Sequence, residues 1–267
     1  MGAAAGRHEA FALEEQRGIR RRRNEACRHS ARVIRVRCTS LLDYMEISPN
    51  SNTDSGQHAV SPQQSAGFFN ADVGSPQLRG SAKPVEAGWD VVAGGADIWE
   101  KSDQFHFVSK QVTGDFDIAV RVESFTPAHL YSKAGLMVRE TLNADSPHLL
   151  FLVFAGNAPR NNNLGAYEAQ YRAVAGGDCQ AIYPVIRPPA PPEFPAAFPN
   201  SWLRVERRGN RFSAFASTDG KAWKLYGVQT LTLTRVVHVG PALTSHDPQV
   251  AAQARFRNYT ELKPSTD

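Results

Sequence analysis

Asp115-Phe116-Asp117-Ile118-Ala119-Val120-Arg121-Val122-Glu123, DFDIAVRVE, is apolar at every even position and mainly polar at the odd ones. Side chains alternate across a strand, so this spacing sets one face on a core and the other toward water. A helix would spread the same residues around its axis. The stretch therefore predicts a half-buried antiparallel strand. Leu149-Leu150-Phe151-Leu152-Val153-Phe154 is apolar on both faces, as a central sandwich strand would be, and too short for a helix.

Working outward, further strands are expected at 103–110, 133–140, 164–173, 202–208, 211–217, 221–227, 236–245 and 251–259, separated by Gly, Asn, Asp and Pro. No segment after residue 68 carries a capped helical stripe. Many short strands between turn signals argue an all-β sandwich or jelly roll. Two turns are well specified: Arg208-Gly209-Asn210-Arg211, whose Gly-Asn pair accepts positive φ, and Ser217-Thr218-Asp219-Gly220, which leads into Trp223. The insert from Gly176 to Asn200 holds seven prolines and is expected to lie on the surface as neither strand nor helix.

The formal charge of +4 is unevenly placed. Residues 1–37 hold ten Arg and four Glu, a net of +6, and the remainder carries −2. The run Arg20-Arg21-Arg22-Arg23 admits three readings: an arm for nucleic acid or another acidic surface, a presequence, or a disordered extension from an over-called start with Met45 nearer the true one. Glu9, Glu14, Glu15 and Glu25 argue against a presequence. Residues 46–67 are Ser/Asn/Gln/Pro-rich and read as a linker. The expected organisation is a basic disordered extension over 1–45, a polar linker over 46–67 and a β-sandwich over 68–263.

No apolar h-region opens at Met1 or Met45, and no run of about 18 apolar residues occurs. A cytoplasmic location is the default and no membrane partner is expected. Cys27, Cys38 and Cys179 form neither a disulfide framework nor CxxC spacing, so no metal or cofactor is expected.

Five blocks in order, ADIWEKSDQFHFV (96–108), GDFDIAVRVES (114–124), SKAGLMVRE (132–140), WLRVERRGNRFSAFASTDGKAW (202–223) and VGPALTSHD (239–247) followed by ARFRNY, carry a resemblance. They resemble the uncharacterised domain family related to the regulation-of-enolase proteins, in the concanavalin A-like lectin/glucanase superfamily. The resemblance covers about residues 69–260. It implies a concanavalin A-like jelly roll of two antiparallel sheets whose concave face often holds carbohydrate, and no established reaction. The Pro-rich insert before Trp202 is longer than the family's usual connection.

Candidate site residues follow from chemistry on strands and turns. In 103–108, Phe105 and Phe107 share a core face, and Gln104 and His106 share the other, facing solvent, a second sheet or a groove. Trp99 offers an indole face to a sugar ring; Asp97 and Asp103 beside it serve as ligand contacts or backbone caps. Arg139 grips hydroxyls or carboxylates, or pairs structurally. Thr244-Ser245-His246-Asp247 is a strand-end turn and no triad, since adjacent strand residues diverge; His246 can still bind at the edge.

No two carboxylates are spaced for glycoside hydrolysis; Asp115 and Asp117 open a strand that looks solvated. Jelly-roll lyases of acidic polysaccharides use a Gln-x-His strand with Arg, Tyr and Lys partners, matched in fragment by Gln104, His106, Arg139 and Tyr167 or Tyr171. The leading expectation is a non-catalytic glycan-binding or interaction module with contacts among Trp99, Gln104, His106, Arg139, Tyr171 and His246. A protein-binding module using Pro-rich 184–199 in polyproline II form is the third.

Overall fold

The structure, a computed structural model, describes residues 67–156, 167–182 and 194–262. The basic extension, the linker, Cys27, Cys38 and most of the Pro-rich stretch lie outside the described residues. Those that are described form strands and no helix.

Among the described residues, fourteen strands build two seven-stranded sheets. Sheet I runs β1 (Phe69–Val73), β4 (Phe105–Thr113), β13 (Val236–Thr244), β6 (Lys133–Arg139), β7 (His148–Val153), β8 (Tyr167–Arg172), β9 (Gln180–Ile182). Sheet II runs β12 (Lys224–Thr230), β11 (Arg211–Ser217), β10 (Ser201–Arg208), β5 (Phe116–Thr126), β14 (Ala252–Glu261), β3 (Gly88–Ala93), β2 (Ser81–Val85). Every pairing is antiparallel, and the chain passes between sheets at β1–β2, β3–β4, β4–β5, β5–β6, β9–β10, β12–β13 and β13–β14. This is a two-sheet jelly-roll sandwich.

The alternation of β5 is realised: Phe116, Ile118, Val120 and Val122 are buried between the sheets with Leu136, Val138, Leu149, Phe151 and Val205. β7 has two apolar faces because it serves two cores. Leu149, Phe151 and Val153 face sheet II, whereas Leu150, Leu152 and Phe154 join Ile98, Phe105, Phe107 and Met137 in a second cluster on the outer face of sheet I. The phenylalanines of 103–108 are core, as the spacing implied.

In the β10–β11 hairpin Gly209 takes φ 57°, beyond the Arg208–Arg211 pair. In the next turn Asp219 accepts from the Lys221 and Ala222 amides at 2.8 and 2.9 Å, and Trp223 meets Trp202 edge-on at 6.4 Å.

Three expectations need correction. β1, β2, β3 and β9 are strands that the pattern did not single out; they are short or sheet-edge, and Pro84 interrupts one. The insert 176–200 is neither strand-free nor wholly superficial, because β9 pairs with β8 and Cys179 and Phe194 are buried. Asp117 is not solvated: it is 2% exposed and accepts two hydrogen bonds from Arg204, at 2.7 and 2.6 Å.

Candidate functional site

Three connections roof the outer face of sheet I. The 94–104 segment is stitched to β13 by Thr244 Oγ1, which donates to Gln104 O at 2.9 Å, and by Ser245 Oγ, which donates to Gly95 O at 3.0 Å. Ser132 Oγ accepts from the Ala128 and His129 amides and donates to Ser245 O, tying the 127–132 turn to the same strand end. The 141–146 turn receives Asp103 N at Ala144 O, 2.9 Å.

Beneath this roof lies a buried charge network. Arg139, His148 and Arg172 stand in one cross-strand row on β6, β7 and β8, and Asp103 descends onto them from the roof. All four side chains are fully buried. Arg172 grips both Asp103 oxygens at 2.7 and 2.8 Å and also donates to Trp99 O and Glu100 O, at 3.2 and 3.0 Å. Arg139 reaches Asp103 at 3.3 Å, Thr141 O at 2.7 Å, and Asn143 O. Burial lowers the Arg139 pKa to about 10, against the Asp103 charge, and lowers that of His148 to about 3. His148 is therefore neutral. Its Nδ1 lies 3.3 Å from both Arg172 Nη1 and Ser146 O, and its Nε2 3.9 Å from Cys179 Sγ. Burial drives the Cys179 thiol to about 12, so no thiolate forms there.

At the edge of the roof the same loops form a second, more open cluster. Asp97 Oδ1 pairs with Lys133 Nζ at 2.6 Å, and its Oδ2 lies 3.2 Å from His246 Nδ1 without hydrogen-bond alignment. Lys133 Nζ also donates to Ile98 O at 2.8 Å and lies 5.4 Å from the centre of the half-buried Trp99 ring. His246 stacks on exposed His129 at 4.6 Å, and Tyr131 leans on both, at 5.5 and 5.7 Å. Burial raises the Asp97 pKa, but Lys133 and His246 outweigh it and hold the carboxyl at about 2. Burial, then the neighbouring His246, lowers the His129 pKa. Asp97 is thus a fixed anion at neutral pH, able to accept a hydrogen bond but not to donate a proton.

The expected contacts fall in four places. Trp99 and His246 come together in the open cluster. Arg139 lies under the roof with its guanidinium fully engaged, the structural pairing of its two expected roles and not the ligand grip. Gln104 and His106 do not point together: Gln104 precedes β4 and accepts from Ala96 N at 3.3 Å, whereas His106 is 2% exposed on the side facing sheet II, its Nδ1 2.8 Å from Asp72 Oδ1. Tyr171 packs on that same inner side and donates to Gln180 at 2.5 Å. Asp72, His129, Tyr131, His148 and Arg172 were not anticipated as partners. His129-Leu130-Tyr131 in a turn was a visible signal for the cluster; the others meet only through register. Among the described residues no group of His, Cys, Asp and Glu is arranged to hold a metal.

No protein-family model and no curated protein matches the chain in sequence. Solved structures do match. A functionally unknown protein from Saccharomyces cerevisiae shares 18% identity over 74% of this chain and 97% of that one, with a TM-score of 0.55. That likeness supports the fold. A carbohydrate-binding module, CBM66, from Bacillus subtilis aligns at 16% identity over 74% and 96% of the two chains, TM-score 0.45. Lectin I-B4 from Griffonia simplicifolia aligns at 6% over 74% and 94%, TM-score 0.39.

Proposed function

We propose that the protein is a non-catalytic carbohydrate-binding module whose ligand lies on the loop cluster of Trp99, His129, Tyr131 and His246, beside the Asp97–Lys133 pair. The observation that carries it is Trp99: a half-buried indole whose carbonyl is fixed by Arg172 and whose ring is held near Lys133, beside the stacked rings of His129 and His246 and the Tyr131 ring. An indole face packs on the C–H side of a sugar ring, and Asp97 and His129 lie in the same cluster to bond its hydroxyls. The five ordered sequence blocks support reading the chain as a member of the family related to the regulation-of-enolase proteins. Catalysis is disfavoured because Asp97 stays ionised and the Gln104/His106 pair is split.

The test is retention of the protein on a panel of neutral polysaccharides, with ultraviolet absorbance followed for unsaturated products. Trp99→Ala is expected to weaken binding about tenfold or more, the loss of one stacked aromatic contact. Product formation would turn the reading to a lyase. Absence of retention by folded protein would sink it in favour of a protein partner, a reading that the filled outer face of sheet I also favours.

A further inference from the structure

Sheet II leaves its outer face uncovered by comparable loops, and most charged groups there pair with one another. Arg257 binds Asp90 at 2.5 Å and lies 3.6 Å from Glu123, Arg121 binds Glu123 at 3.0 Å, and Arg204 is held by Asp117. One part of the face departs from this economy. A shallow cleft of about 210 Å³ crosses β3, β14 and β5, lined by Asp90, Val92, Ser124, Thr126, Gln253 and Arg255. Among the described residues, the Ser124, Thr126, Gln253 and Arg255 side chains have no hydrogen-bond or ion-pair partner.

The register places Lys83, Asp90, Arg255 and Ser124 side by side on β2, β3, β14 and β5. Lys83, also unpartnered and exposed, stands two strands from Arg255, on the order of 10 Å at the usual strand spacing. Asp90 between them is neutralised by Arg257. The cleft thus holds one uncompensated cation, Arg255, among hydroxyl and amide groups, with a second, Lys83, on the strand beside it.

We infer that this cleft is a second binding site, distinct from the Trp99 cluster, for an acidic polysaccharide whose carboxylates meet Arg255 and Lys83 while its hydroxyls bond Ser124, Thr126 and Gln253. Charge complementarity selects the class. A nucleic-acid strand carries a phosphate at every step but few free hydroxyls to offer Ser124, Thr126 and Gln253. An acidic polysaccharide supplies both carboxylates for Arg255 and Lys83 and ring hydroxyls for Ser124, Thr126 and Gln253, and a guanidinium takes a carboxylate in bidentate fashion.

The experiment uses the full chain carrying R20S, R21S, R22S and R23S, so that the basic extension does not dominate. Binding to polygalacturonate, to its methyl-esterified form and to single-stranded DNA is measured by calorimetry at low and moderate salt. Polygalacturonate is expected to bind, weakening with salt, and K83E with R255E to lower its affinity about tenfold or more. T126A with Q253A, which keeps both cations, should weaken it severalfold, and Trp99→Ala should leave it unchanged. No polygalacturonate binding, equal binding of the esterified polymer, tighter binding of DNA, or indifference to K83E with R255E would each overturn the site. Neutral polysaccharides test the Trp99 cluster separately, so either site can fail alone.

Discussion

The two outer faces of this sandwich begin from the same kind of strand and end in opposite states. On sheet II most polar positions of β5, β10 and β14 stay near the surface, where Arg121, Glu123 and Arg257 pair half in water, Asp117 beneath Arg204 being the exception. On sheet I the equivalent positions hold Arg139, His148 and Arg172, and these are fully buried. Loops 94–104, 127–132 and 141–146 cross one face, whereas on the other Trp223 covers only the Trp202–Arg204 end. A polar residue at an alternate strand position therefore announces only which side it is on; a returning loop decides whether that side is wet.

The difference predicts unequal costs for equivalent changes. Asp103→Asn leaves two buried guanidinium groups without their anion and is expected to cost about 3–5 kcal/mol, whereas Glu123→Gln on the open face should cost less than about 1 kcal/mol. Chemical denaturation of both variants checks this, and equal losses would break the contrast. Next in size is the apolar part of the roof. Leu150→Ala, in the second cluster, should lose about 2–5 kcal/mol, as much as Leu149→Ala between the sheets. A loss below about 1 kcal/mol at Leu150 would mean the roof is loosely packed.

The sharpest effect is in pH. His148 is neutral in the folded protein, with its pKa lowered from 6.5 to about 3. Between those values the unfolded chain holds one more proton than the folded one, so unfolding free energy falls as pH falls. The expected slope is about 1.4 kcal/mol per pH unit from this group. Asp97 adds to it only below its unfolded value of 3.8, down to about 2. Denaturant titrations between pH 6 and 4 should show the His148 slope, and His148→Gln should flatten it. An unchanged slope in that variant would place the acid sensitivity elsewhere.

Much of the fold was legible because periodicity is local. The alternation in 115–123, the doubly apolar 149–154 and the Gly-Asn and Asp-Gly turns each identify a strand or hairpin without knowledge of the partner strand. β1, β2, β3 and β9 were less legible: at an edge, pairing across the chain, as in Asp72 opposite His106, supplies what their short patterns do not. The candidate site was legible only in part. Trp99 and His246 are in it, but 147 positions of chain separate them, and the sequence cannot state that Ser132 and Ser245 stitch their loops together.

The sequence by itself determined that this chain forms an all-β sandwich, because burying alternate side chains requires nothing more than their order. Only the tertiary structure decided that Arg139 is locked beneath a roof while Arg255 stands unpaired in an open cleft. Both are arginines at polar positions of a strand, and a guanidinium is sealed or available according to which loop folds back over it.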